Sequence, residues 1–167
     1  MTSMNDPCEQ LKSILENSDF LTQQHDSYAA IDSLENVAPC IAVGLAEASI
    51  DKDWSKFERY TLAASRHPDR SYTAPLCEVL QQQLSVVNND DIVTALGEIR
   101  DPDSAPVLVQ TLWWQPDWDE FHQLALKCVW ALGQIGTEES RAALRDAADV
   151  GPDAIRQEAA TVLTRHN

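Results

Sequence analysis

The chain has 167 residues, 44% of them hydrophobic, with only five glycines and a formal net charge of −15 from 12 basic and 27 acidic residues. That length holds one domain or one short repeat array, and the scarcity of glycine favours helices over strands. So large an acidic excess excludes a phosphate-binding surface for nucleic acid and attraction to an anionic membrane, while suiting a basic protein partner or plain solubility.

Residues 1–25 carry no repeat signal and are read as a helical N-terminal capping segment. From residue 26 to 167 the sequence reads as an array of about four helix pairs closed by a C-terminal capping helix. The organising pattern is Ala-Pro followed by apolar residues and a closing Leu. It occurs at Ala38-Pro39-Cys40-Ile41 with Leu45, at Ala74-Pro75-Leu76-Cys77 with Leu80, and at Ala105-Pro106-Val107-Leu108 with Leu112. A version without proline reads Arg141-Ala142-Ala143-Leu144. Pro39, Pro75, Pro106 and Ala142 follow one another at intervals of 36, 31 and 36, a helix-pair period. Proline is tolerated in a helix's first turn, so each Ala-Pro marks the start of the second helix of a pair.

The first helices carry apolar stripes at helical spacing: Trp54, Phe57, Thr61 and Ala64, then Ile92, Leu96 and Ile99, then Phe121, Ala125, Cys128, Leu132 and Ile135. The last helix places Ile155, Ala159 and Val162 on one side. Asp51 or Asp53, Asn89 or Asp90, and Asp117 stand where N-caps are wanted, and Pro152 suits the first turn of the terminal helix. Loops are short, and no long Gly/Ser linker divides the chain.

Ala95-Leu96-Gly97-Glu98-Ile99-Arg100-Asp101-Pro102 leading into Ala105-Pro106-Val107-Leu108 resembles the core of PBS-lyase-type HEAT-like repeats, as does Trp130-Ala131-Leu132-Gly133-Gln134-Ile135-Gly136. The resemblance is strong over residues 88–149, weaker over 26–87 and absent before that. It implies an all-α fold, a short right-handed α-solenoid of antiparallel HEAT-like helix pairs acting as scaffold or binding surface. The second pair departs from the pattern, with Ser65-Arg66-His67-Pro68 where Gly and Ile are expected.

Little in the sequence points to chemistry. His25, His67, His122 and His166 form no HExxH motif and no zinc-ligand spacing with cysteine, and no His-Glu dipeptide occurs. No nucleophile elbow or phosphate-cradling Gly-rich loop is present. HEAT-like DNA glycosylases present a basic surface, which this composition does not supply. The chain is read as non-enzymatic, with no cofactor and no metal. Cys8, Cys40, Cys77 and Cys128 include no CxxC pair, three of them fall on apolar stripes, and nothing in their spacing asks for a disulfide. A reduced cytoplasm is the expected setting, with no signal segment after Met1 and no run of transmembrane length.

Two features stand out as candidate binding elements. Three of the five tryptophans fall in Trp113-Trp114-Gln115-Pro116-Asp117-Trp118-Asp119-Glu120-Phe121, at the turn joining two helix pairs. Tryptophan is enriched in interface hot spots, whereas Phe121 belongs to a buried stripe and Trp118 either staples the helix start or faces a partner. Adjacent Trp113 and Trp114 cannot both enter the core of one helix. The second feature is the row of turn acids, Asp51, Asp53, Asp90, Asp91, Asp117, Asp119, Glu120, Asp149 and Asp153, which a stacked array aligns along one edge. Asp101, Asp103, Glu138 and Glu139 mark the opposite edge. Capping accounts for one acid per turn, and several turns have more. The expected partner-binding set is Trp113, Trp114, Asp117, Trp118, Asp119, Glu120, Asp90 and Asp91. The expected role is holding a basic protein, in its most specific form as an immunity or antidote protein. Lyase-type chromophore handling and general scaffolding are the alternatives.

Overall fold

The computed structural model describes residues 6–165; the first five residues of the capping segment and His166 lie outside the described residues. Among the described residues there are ten α-helices and no strands. They are α1 (Pro7–Leu15), α2 (Gln24–Asp32), α3 (Ala38–Asp51), α4 (Trp54–Arg66), α5 (Thr73–Leu80), α6 (Asn89–Ile99), α7 (Ala105–Leu112), α8 (Gln123–Ile135), α9 (Glu138–Val150) and α10 (Asp153–Arg165). Short 3-10 turns at Arg70–Tyr72 and Pro102–Ser104 lead into α5 and α7.

The helices stack in two layers. α2, α4, α6, α8 and α10 each pack on the next to form one layer, and α3, α5, α7 and α9 form the other. In the repeat register of the sequence the pairs are α2/α3, α4/α5, α6/α7 and α8/α9, and neighbouring pairs are joined through α3 on α4, α5 on α6, α7 on α8 and α9 on α10. One apolar core runs the length of the array from Leu11 to Val162. The fold is an α-solenoid, whose units bury their faces only against their neighbours.

The buried positions fix the register that the second pair's unusual sequence obscured. Leu76 is buried 35 residues after Ile41, Leu108 is buried 32 after Leu76, and Leu144 is buried 36 after Leu108. The proline of α5 is thus one residue out of step with the others. Pro39 and Pro106 are the second residues of α3 and α7, whereas Pro75 is the third residue of α5. In place of the expected Gly, α4 ends at His67, whose Nε2 lies 2.8 Å from the Ile31 carbonyl, while Arg66 pairs with Asp32. Both contacts tie the second pair back to α2.

Glycine sets two close approaches between helices. A Cβ on Gly97 would stand 3.1 Å from the Ala131 Cβ of α8, and one on Gly44 would enter the Tyr60 ring of α4 at 2.1 Å. The approach at Gly44 is closer than real Cβ atoms pack, so α3 depends on the missing side chain, whereas the tight contact at Gly97 would ask its neighbours to give slightly.

The N-terminus brings a correction. Cys8 of α1 and Cys40 of α3 form a disulfide, with Cα atoms 5.2 Å apart. Nothing in the cysteine spacing asks for a disulfide; the two are 32 residues apart in sequence and meet only because α1 folds back onto α3. Disulfides persist in oxidising surroundings, so the argument for a reduced cytoplasm from the cysteines no longer holds. Arg59 of α4 further clamps the end of α1, donating to the carbonyls of Leu15 and Asn17 at 2.5 and 3.0 Å. No helix among the described residues is long and apolar enough to cross a membrane.

Candidate partner-binding edge

In an antiparallel stack, the ends of α3, α5, α7 and α9 and the starts of α4, α6, α8 and α10 share one edge. Each turn there must satisfy the free N–H groups of a helix start. At the first, the Asp53 carboxylate accepts from the Lys56 N–H at 3.0 Å. At the second, Asn88 caps α6 by accepting from the Asp91 N–H at 3.2 Å, so the cap precedes the expected Asn89 or Asp90. Glu58 of the neighbouring α4 holds the Asn88 N–H at 3.0 Å.

The Trp-bearing turn is longer than its apolar pattern suggested. α8 begins at Gln123, after His122 takes a left-handed conformation with φ of 57°. Asp119, not Asp117, serves this helix start. Its two oxygens accept from the N–H groups of Gln123 at 2.8 Å and Leu124 at 3.0 Å. Phe121 falls before the helix and is 72% exposed, which removes it from the buried stripe. The stripe itself holds from Ala125 and Cys128 to Leu132.

The tryptophans divide between core and surface. Trp114 is half-buried and packs on the core, with Trp118 edge-on to it at 6.0 Å between ring centroids. Trp113 is 41% exposed and Trp118 46%. Asp117 and Glu120 are exposed and accept no hydrogen bond among the described residues. Of the expected set, Trp113, Asp117, Trp118 and Glu120 are presented outward, Trp114 supports Trp118 from below, and Asp119 is occupied in capping.

Asp90 and Asp91 sit half-buried in the first turn of α6, against the start of α8. Burial pushes the Asp90 carboxyl above its usual range; Lys127, 3.8 Å away, opposes this and Asp119 adds to it. Burial likewise raises Asp91, with Lys127 opposing and Asp90 and Glu58 adding. Lys127 thus answers two carboxylates, Asp90 and Asp91, whose other charged neighbours, Asp119 and Glu58, are themselves acidic. The edge's other cations are also engaged, Lys56 with Glu47 and Arg156 with Asp153, except for exposed Lys52.

Sequence reasoning missed an apolar component of this edge. Ile50 is 80% exposed, Val86 63% and Val150 74%, and each lies at or beside one of these turns. With Trp113, Trp118 and Phe121, they make six of the nine exposed large hydrophobic residues among the described residues. The signal available was an aliphatic residue abutting a turn acid, as in Ile50-Asp51 and Asp149-Val150, outside the stripe of its helix. On the opposite edge, Asp101 is consumed internally, accepting from the Thr73 hydroxyl at 2.8 Å and the Asp103 N–H at 3.2 Å.

Nothing comparable gathers reactive groups. Burial pushes the Cys77 thiol up to about 11 and raises Cys128 further, so neither offers thiolate near neutrality. No group of His, Cys, Asp or Glu among the described residues is arranged to hold a metal ion. A cleft of about 220 Å³ between α8, α9 and α10 is flanked by Arg141 and Arg145. The register places Ala105 and Val109 at the corresponding positions of α7, facing the next pair. Arginines at these positions give the outward face of α9 a polar character among the described residues.

A profile of HEAT repeats matches residues 73–164, from the start of α5 nearly to the end of α10. The chain belongs to the HEAT-repeat family. No curated protein matches it. HEAT repeats are protein-interaction and scaffold modules and are typically non-enzymatic. The repeats here supply a rigid frame, and the turn edge is where that frame leaves apolar and charged groups unengaged.

Proposed function

We propose that this HEAT-repeat protein binds a basic protein partner along its turn edge, with Trp113 and Trp118 as the anchor and Asp117, Glu120, Asp90 and Asp91 as the charge complement. The supporting observation is coincidence: exposed apolar side chains and carboxylates in excess of the local cations occupy the same turns. Aromatic anchors contribute contact area at small entropic cost, and the acid row steers a cationic partner and rejects anionic ones. The same field disfavours nucleic acid and anionic membrane. In the most specific form of this reading, the chain is a stoichiometric blocker of a cationic protein, an immunity or antidote role that needs neither cofactor nor catalysis. Residues 1–25 act as the cap of the array, a reading supported by the Cys8–Cys40 staple. The bilin-lyase-like alternative has no favourable observation, given thiols held protonated at Cys77 and Cys128.

The test compares the wild-type chain with a Trp113→Ala/Trp118→Ala variant and with an Asp117→Asn/Glu120→Gln variant as capture baits. The expected result is a basic protein retained by wild type and lost from both variants, with retention falling as salt rises. Recovery of the same partners by all three baits overturns the assignment of the edge.

A further inference from the structure

The apolar residues of the edge recur once per repeat, and that period constrains what can lie on them. Ile50 marks the turn after α3, Val86 the turn after α5, the Trp113–Trp118–Phe121 group the turn after α7, and Val150 the turn after α9. Packed helices stand about 8–10 Å apart, so successive rungs have that spacing, and the four rungs span about 24–30 Å. Among the described residues, carboxylates that neither cap a helix nor form an ion pair flank each rung: Asp51, then Asp91, then Asp117 and Glu120, then Asp149.

We infer that the edge receives a single amphipathic helix of the basic partner, laid across the turns, with an apolar residue at every seventh position and Lys or Arg on both sides of that seam. The inference rests on the partner-binding reading above and specifies its geometry. A helix rises about 1.5 Å per residue, so seven residues advance about 10.5 Å, close to one rung. Seven residues also make nearly two full turns, drifting by only about 20° per step, so four such residues still face the edge. Neighbours three and four positions away flank the seam, where cations meet the carboxylates. An extended strand covers about 10 Å in three residues, but three is odd and its successive contacts would face opposite ways. A polyproline helix has a suitable period of about 9.3 Å. Its ridges dock between aromatic walls, and three of the four rungs are single aliphatic residues. Four contacts at every seventh position place the outer two about 21 residues, or about 31.5 Å, apart, close to the upper end of the span of the rungs.

The experiment titrates the full chain with four synthetic 24-residue peptides, following tryptophan fluorescence and peptide circular dichroism. One carries Leu at every seventh position within a Lys/Ala/Gln background. The second has the same composition with the leucines permuted off that period. The third is the first with a central proline, and the fourth is a Lys-rich polyproline peptide. The first is expected to gain helicity on binding and to bind at least tenfold more tightly than the other three. Val86→Ser and Val150→Ser, which leave the aromatic group intact, should each weaken it severalfold while leaving the permuted peptide's affinity unchanged. Equal affinities for the first two peptides overturn the helix inference and leave the acidic-edge reading standing. Tightest binding by the polyproline peptide overturns it in favour of that geometry. If none of the cationic peptides binds at low salt, both the inference and the reading beneath it fail.

Discussion

Asp119 and Asp117 lie two residues apart in the Trp-bearing turn, yet they should respond differently to the same substitution. Asp119 accepts the N–H groups of Gln123 and Leu124 at 2.8 and 3.0 Å; Asp117 is exposed and accepts none among the described residues. Asp119→Ala leaves both donors at the start of α8 without their partner. Losing a helix cap costs about 1 kcal/mol and up to about 2. Two bonds to an ionised acceptor, one of them from the backbone of buried Leu124, place this case near 2 kcal/mol. For a chain of this size, about 1 kcal/mol shifts Tm by about 2–4 °C, so Asp119→Ala should melt about 4–8 °C lower. Asp119→Asn keeps one strong acceptor oxygen and should recover part of the loss. Asp117→Ala should melt within about 1 °C of wild type while weakening partner binding. Thermal melts followed by circular dichroism decide the matter: equal melting of the two alanine variants would refute the division of labour between these acids.

Gly44→Ala gains about 1 kcal/mol of helix propensity but places a methyl inside the Tyr60 ring, an overpacking cost of about 1–3 kcal/mol. Urea denaturation should show net destabilisation, and Tyr60→Leu in the same chain should reverse its sign. Breaking the Cys8–Cys40 disulfide, which closes a loop over 32 residues, should cost about 3–4 kcal/mol on the chain-entropy scale. Hydrogen exchange should locate the loosening in α1 and leave α6 to α10 protected; uniform loss of protection contradicts the solenoid's local coupling. Asp91 has its carboxyl raised by burial, so only between the ordinary value and the raised one does the folded chain hold a proton there that the unfolded chain has released. The stability this group contributes is present below the ordinary Asp value of 3.8 and is lost as pH rises through the raised folded value. Asp91→Asn should therefore be more stable than wild type at pH 7, with the difference closing as pH falls below 3.8. A constant difference across that range would show that burial is not the cause.

The layers of the fold were legible because a repeat writes the same instruction several times. The buried stripe of α8 from Ala125 to Leu132 and that of α10 from Ile155 to Val162 are read directly from helical spacing, and Ala-Pro marks the starts of α3 and α7. Where the instruction varied, single-sequence reading slipped. Pro75 sits one residue later in its helix than Pro39 does, and Phe121 keeps the period of a stripe whose helix has not yet begun. The left-handed His122 between Phe121 and α8 leaves no periodic trace, since only glycine advertises such a conformation. The disulfide was illegible for a different reason: Cys8 and Cys40 meet through the docking of α1, a tertiary event with no local signature. At the edge, the acids were visible in sequence as a set, but which of them were engaged in capping depended on where each helix truly starts.

That distinction determines how the edge should be interpreted. A solenoid repeats every local requirement at a fixed spacing, so helix capping alone would draw a row of carboxylates along the turns, with no partner involved. Asp53 and Asp119 are explained in that way, and a charge count that includes them overstates the case for recognition. No such requirement explains the apolar residues. A hydrophobic residue that staples a helix start does so by packing against the next turn, which would bury it. Ile50, Val86, Phe121 and Val150 are instead 63–80% exposed, and in water an aliphatic or aromatic side chain gains nothing from that position. Singly they would need no explanation, since surface hydrophobes are common. Their recurrence at the turns after α3, α5, α7 and α9, beside carboxylates beyond those that cap, is what a binding edge requires and what stability alone does not.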